Sequence, residues 1–121
     1  MNSQNLLLNN LLEETHTISN IQNYIKKILK IRGFSNETVS DKLLLLIEEV
    51  GELAKAIRKF EGKILIDNKR IENYTSVSDE IADVFIILLS ICNILDMDLF
   101  EIFVEKERVN IQRIWSKQNE N

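Results

Sequence analysis

No proline occurs anywhere in the chain, and the only glycines are Gly33, Gly51 and Gly62. Proline and glycine are the residues that break helices. A sequence this short of both, and rich in Leu, Ile, Glu and Lys, predicts an all-α fold. Apolar periodicity places helices between the few stop signals. A first spans about 18–31 and stops at Gly33. A second spans about 37–60, with Ser35 or Asn36 as its cap and Gly62 as its end. A third spans about 76–95. A fourth starts at Asp98, with Glu101 three residues on as in a capping box, and reaches about 115. Residues 1 to about 15 read as a marginal helix or a mobile arm. GKILIDNKRIENY, residues 62–74, reads as a loop whose Ile-Leu-Ile triplet can pack back on the body. At 121 residues the chain is expected to be one domain, 1–121, most economically a four-helix bundle.

A formal net charge of -4 argues against a nucleic-acid backbone as the main partner. The greasiest run, VFIILLSICNIL, is shorter than the roughly 20 residues that span a bilayer. The N-terminal residues lack the basic start and long apolar core of a signal peptide. The expectation is a soluble, cytoplasmic protein without a membrane partner. Cys92 is the only cysteine, which excludes an intrachain disulfide and a cysteine zinc site, and its apolar neighbours mark it as a small buried hydrophobe.

The acidic residues carry the chemistry. LLLLIEEVGELAKAIRKF, residues 43–60, sets Glu48, Glu49 and Glu52 in the greasiest part of the second helix. At about 100° per residue, Glu52 lies about 40° and Glu49 about 100° from Glu48, in an arc shared with Leu45 and Ala56. The carboxylates therefore interrupt an apolar stripe. Asp79, Glu80 and Asp83 repeat the spacing at the start of the third helix, where Ile87, Ile91 and Ile94 continue the stripe. That helix is apolar nearly all round after Asp83 and is expected to be central. Ionised carboxylates sharing a buried site need a cation, and an oxygen-only set suits Mg²⁺ or Mn²⁺. The fourth helix supplies the opposite sign: Lys106, Asn110 and Arg113 fall at i, i+4 and i+7, and a packed bundle can bring that stripe beside the acidic helices. One E-x-x-E is most often a solvated face; two such clusters merged into apolar stripes shift the balance. His16 stands outside this constellation.

EExxE in LLLLIEEVGELAKAI, ExxD in DEIADVFIILL and KxxxNxxR in DMDLFEIFVEKERVNIQRIW, in that order, resemble the all-α nucleotide pyrophosphohydrolases, in particular the MazG-like family, over residues 34–115. The resemblance implies an all-α NTP pyrophosphatase fold and Mg²⁺-dependent cleavage of (d)NTPs between the α and β phosphates, giving (d)NMP and pyrophosphate. It implies Glu49, Glu52, Glu80 and Asp83 as metal ligands. Glu48 is either a further ligand or the group that orients the attacking water, so Glu48 and Glu49 are the catalytic candidates. Lys106, Asn110 and Arg113 match phosphate-binding positions. Many members carry Tyr four residues after the ExxD aspartate; Ile87 stands there in this chain, so no base is assigned. Tyr24, Phe34 and Trp115 are the aromatics available to stack on one. The apolar third helix, too greasy for three neighbours to cover, implies a homodimer or homotetramer. Two other functions compete: phosphoribosyl-ATP pyrophosphohydrolase, and a non-catalytic helical interaction module.

Overall fold

The computed structural model describes residues 2–62, 65 and 75–117, all helix and short connections. Five helices follow in order: α1 (Ser3–Glu13), α2 (Ile18–Ile31), α3 (Val39–Glu61), α4 (Val77–Ile94) and α5 (Leu99–Gln112), with no strand among the described residues. The N-terminal segment is therefore a helix, α1, which packs against α2 and buries none of its own residues. Of the stretch 62–74 only Gly62 and Leu65 are described, and Leu65 is exposed. The rest of the loop expected there lies outside the described residues.

Each helix starts on a side chain that accepts a backbone N–H left over at the helix end. Thr17 caps α2, Ser76 caps α4 and Asp98 caps α5. The cap of α3 is Thr38, two to three residues later than the sequence suggested. Its hydroxyl accepts the Asp41 N–H at 3.1 Å, while the Asp41 carboxylate accepts the Thr38 N–H at 3.0 Å. That reciprocal box outcompetes the isolated polar side chains of Ser35 and Asn36.

Helix ends are equally specific. Beyond α2, Gly33 turns left-handed with φ 88, and the N–H groups of Gly33 and Phe34 return to the carbonyls of Lys30 and Leu29. The end of α4 repeats this pattern, with Asp96 in the left-handed position at φ 55 and Met97 bonding back to Cys92. α5 stops at Gln112, earlier than expected: Arg113 is its cap, in an extended conformation with ψ 148.

α4 is the centre of the fold, as its all-round apolarity predicts. It lies between α3 and α2 and contributes Ile87, Leu89 and Cys92 to a core completed by Ile25, Ile28 and Ala56. α3 and α4 run antiparallel: Glu49 lies by Asp83, and further back along α3 Leu45 and Lys42 share a cavity wall with Ile87 and Ser90. A buried polar clasp fixes α2 to the α4–α5 corner. Gln22 donates to Asn93 Oδ1 (3.0 Å) and to the Met97 carbonyl (2.6 Å), and its own oxygen accepts the Leu99 N–H (3.1 Å). α5 consequently packs against α2. No helix among the described residues is long and apolar enough to cross a membrane.

Candidate metal centre

Where α3 passes the start of α4, carboxylate oxygens of Glu49, Glu80 and Asp83 come within 4.8 Å of one another. Helix geometry makes the group. Glu80 and Asp83 are one turn apart on a face of α4, and α3 presents Glu49 to that face from its middle. Asp79 and Glu80 also sit in the first turn of α4, where the positive end of the helix dipole favours negative charge.

The burial is uneven, and that decides the chemistry. Glu80 is 3% exposed. Its Oε1 accepts from the Thr75 hydroxyl, but Oε2 is buried with no hydrogen-bond partner among the described residues. A buried carboxylate oxygen without a partner costs about 1–3 kcal/mol, more when charged. With every carboxylate of the group ionised, none of the described residues supplies that missing partner. A proton shared between Glu49 and Glu80 does, and this hydrogen bond is the main reason the Glu49 carboxyl is pushed up to about 7. Burial and the charges of Glu80, Asp83 and Glu52 act in the same direction. Burial, followed by the charges of Glu80 and Asp79, likewise raises Asp83 above its ordinary value. Three oxygen donors, one of them orphaned, fit a hard divalent cation that retains several waters. The cluster can coordinate a divalent metal.

The remaining candidates fall outside this group. Glu52 is half-buried beside it, with its carboxylate 3.7 Å from the Lys55 ammonium. Glu48 points to solvent. Lys106 is exposed, and the Asn110 amide lies 3.4 Å from Glu107 Oε1 on its own helix. Arg113 has left the stripe because the helix ends before it. With α5 lying on α2, the single chain does not bring the stripe to the acidic helices. Among the aromatics, Trp115 is exposed and donates its indole N–H to the Asn110 carbonyl, Tyr24 is half-buried, and Phe34 borders a cavity that reaches Glu49 and Asp83.

One residue on that cavity was missed by the sequence reading. Lys42 is 4% exposed, its ammonium 3.2 Å from Glu37 Oε2 and 5.4 Å from the centre of the Phe34 ring. The signal was present: Lys42, Leu45, Glu49 and Ala56 share one stripe at i, i+3, i+7 and i+14. A lysine opening an apolar run reads by default as a surface residue, which hid it.

The model of the MazG nucleotide pyrophosphohydrolase domain family matches residues 37–113 of the chain. No curated protein and no solved structure matches it.

Proposed function

The chain belongs to the MazG nucleotide pyrophosphohydrolase domain family, and from that premise we propose that it cleaves nucleoside or deoxynucleoside triphosphates between the α and β phosphates, releasing pyrophosphate. A pyrophosphohydrolase-type activity follows from the family and the acidic cluster together. The observation that carries the finer reading is the orphaned Glu80 Oε2 within the Glu49–Glu80–Asp83 group, a site that needs either a proton on Glu49 or a bound cation to satisfy it.

In this reading Glu49, Glu80 and Asp83 hold Mg²⁺ or Mn²⁺, and Glu52 turns from Lys55 to join them. A bound cation neutralises charge on the phosphate chain and lowers the pKa of a bound water. Glu49, as one of the ligands, would hold the cation against the phosphate chain. Glu48, exposed on the adjacent position, orients the attacking water. Lys106, Asn110 and Arg113 offset the negative charge of the phosphates.

For that last role α5 must come from a second copy of the chain. α3 exposes the apolar stripe Leu43, Ile47 and Val50, and α4 exposes Ile81, Phe85 and Leu88; both stripes are suited to burial in a homodimer or homotetramer. The whole chain, 1–121, then acts as one domain on a cytoplasmic nucleotide pool.

The test is a product assay. With Mg²⁺, a panel of NTPs, dNTPs, modified nucleotides and phosphoribosyl-ATP is expected to yield pyrophosphate and the matching monophosphate from at least one triphosphate. Turnover of phosphoribosyl-ATP alone would move the substrate to that compound. A folded protein that releases nothing would sink the catalytic reading in favour of a helical interaction module.

A further inference from the structure

The cavity beside the acidic cluster has a far end that hydrolysis leaves unused. It holds about 220 Å³. Glu49 and Asp83 border it, and seven residues back along α3, about 10 Å at the helical rise, stands Lys42. Leu29, Leu45 and Ile87 line the space with apolar surface, and Phe34, Glu37 and Ser90 close it around Lys42.

Stability does not account for the lysine. Position 42 is in the first turn of α3, where the helix dipole opposes a cation. A buried ion pair is also seldom better than a well-packed apolar pair. The ammonium has three N–H donors, more than one Glu37 oxygen takes up, and the Glu37 carboxylate is an acceptor only. The Ser90 hydroxyl on the same wall donates to the Ile87 carbonyl at 2.8 Å. The cavity wall thus sets a charged donor beside a charged acceptor, with the half-exposed Phe34 ring adjacent.

We propose that this end of the cavity receives the nucleobase of the substrate. The Lys42–Glu37 pair hydrogen-bonds the base edge, and Phe34 covers the base face. The inference rests on reading the acidic cluster as the place where the phosphates are cleaved. Adenine and cytosine present an amino donor beside a ring-nitrogen acceptor; guanine and uracil present a carbonyl acceptor beside a ring N–H, in the opposite order. A fixed donor–acceptor pair therefore sorts amino bases from oxo bases, whatever the ring size. A site built to hydrogen-bond its ligand rejects the wrong partner strongly, because its own buried groups are then left unpaired.

Calorimetric binding of AMP, GMP, CMP, UMP and ribose 5-phosphate to the full chain in Mg²⁺ tests this without requiring turnover. The wild type should separate AMP from GMP, and CMP from UMP, by about tenfold or more in the same sense. Glu37→Gln and Lys42→Met should bring each pair to within about threefold while leaving ribose 5-phosphate unchanged. Unaltered preferences in the variants, a wild type that binds all four nucleotides no better than ribose 5-phosphate, or preferences of opposite sense in the two ring sizes would each overturn the proposal. So would a parallel loss of ribose 5-phosphate, which would make Lys42 a phosphate ligand. If Lys42→Met does not fold, Glu37→Gln, at a half-buried position, decides alone. Base discrimination without pyrophosphate release would leave this site standing and remove only the catalytic reading.

Discussion

Removing divalent metal should make the protein less stable as pH rises from about 4.5 to about 7, the opposite of what ordinary paired carboxylates produce. The Glu49 carboxyl is lifted from 4.5 to about 7 in the fold, foremost by the hydrogen bond it shares with Glu80. Between those values the folded state holds a proton that the unfolded chain has released, so unfolding is favoured as pH increases. Above about 7 both states are ionised and the curve flattens. Two and a half units at about 1.4 kcal/mol each would be about 3.4 kcal/mol. Glu49 is only half-buried, and solvent screening reduces this to about 1–2 kcal/mol. Asp83, raised by burial and then by the charges of Glu80 and Asp79, adds to the decline from its own ordinary value of 3.8 upward. Asp41 has the opposite sign and a different window. Hydrogen bonds from Thr38 lower its pKa, so its contribution is present above 3.8 and lost as the pH falls.

The measurement is urea unfolding followed by helical circular dichroism, in EDTA, at half-unit steps from pH 5 to 8. Glu80→Gln provides the internal control. The amide still accepts from Thr75, while the charge that raises Glu49 is gone, so the decline should shrink to less than half. Adding Mg²⁺ at pH 8 should restore stability in the wild type, since a ligand that binds only the folded state stabilises it by mass action. A wild-type curve that is flat or rising between pH 5 and 7 would refute the account, as would an equal decline in Glu80→Gln.

Four further substitutions probe the frame that positions the cluster and the cluster itself. Gln22→Ala, which opens the clasp between α2 and the α4–α5 corner, should cost about 1–3 kcal/mol in chemical denaturation. Leu89→Ala, at a fully buried position in the centre of α4, should cost about 2–5 kcal/mol in the same assay. Glu49→Gln and Asp83→Asn should each abolish pyrophosphate release without loss of helical signal; full activity in both would remove the site assignment.

Helix positions were legible because they depend on local signals that nothing in this fold overrides. The span of α2 matched the periodicity, and Gly33, Gly62, Ser76 and Asp98 acted at the helix ends where their chemistry placed them. Two boundaries were missed, the first for a physical reason. Thr38 displaced Ser35 and Asn36 because a box with Asp41 satisfies two N–H groups at once. α5 unwound before Arg113 although its periodicity continued. The carboxylates Glu49, Glu80 and Asp83 were legible as interruptions of apolar stripes. The docking of α5 was not, because it depends on Gln22, a single polar residue on α2 with no periodic signal of its own.

Buried polarity separates scaffold from chemistry more sharply than motif spacing does. Gln22, Lys42, Glu80 and Ser90 are the buried polar residues described. Gln22 uses both amide hydrogens and its oxygen within the fold, and Ser90 is satisfied by a carbonyl one turn back. Gln22 thus consumes its hydrogen-bonding capacity within the fold, and Ser90 its one donor. Once Glu49 is ionised, Glu80 has an oxygen without a donor among the described residues, and Lys42 keeps more donors than its partner can accept. Those surpluses have opposite sign, an acceptor for a cation and donors for an acceptor. They stand at, and two turns from, the place where α3 crosses the start of α4, and the cavity that Lys42 lines reaches Glu49 and Asp83, the neighbours of Glu80 in the cluster. Burying unspent polar capacity costs stability that an apolar side chain would not forfeit. A ligand that presents a cation at one end and a hydrogen-bonding edge at the other recovers both costs together, and a metal-bound nucleotide has that form.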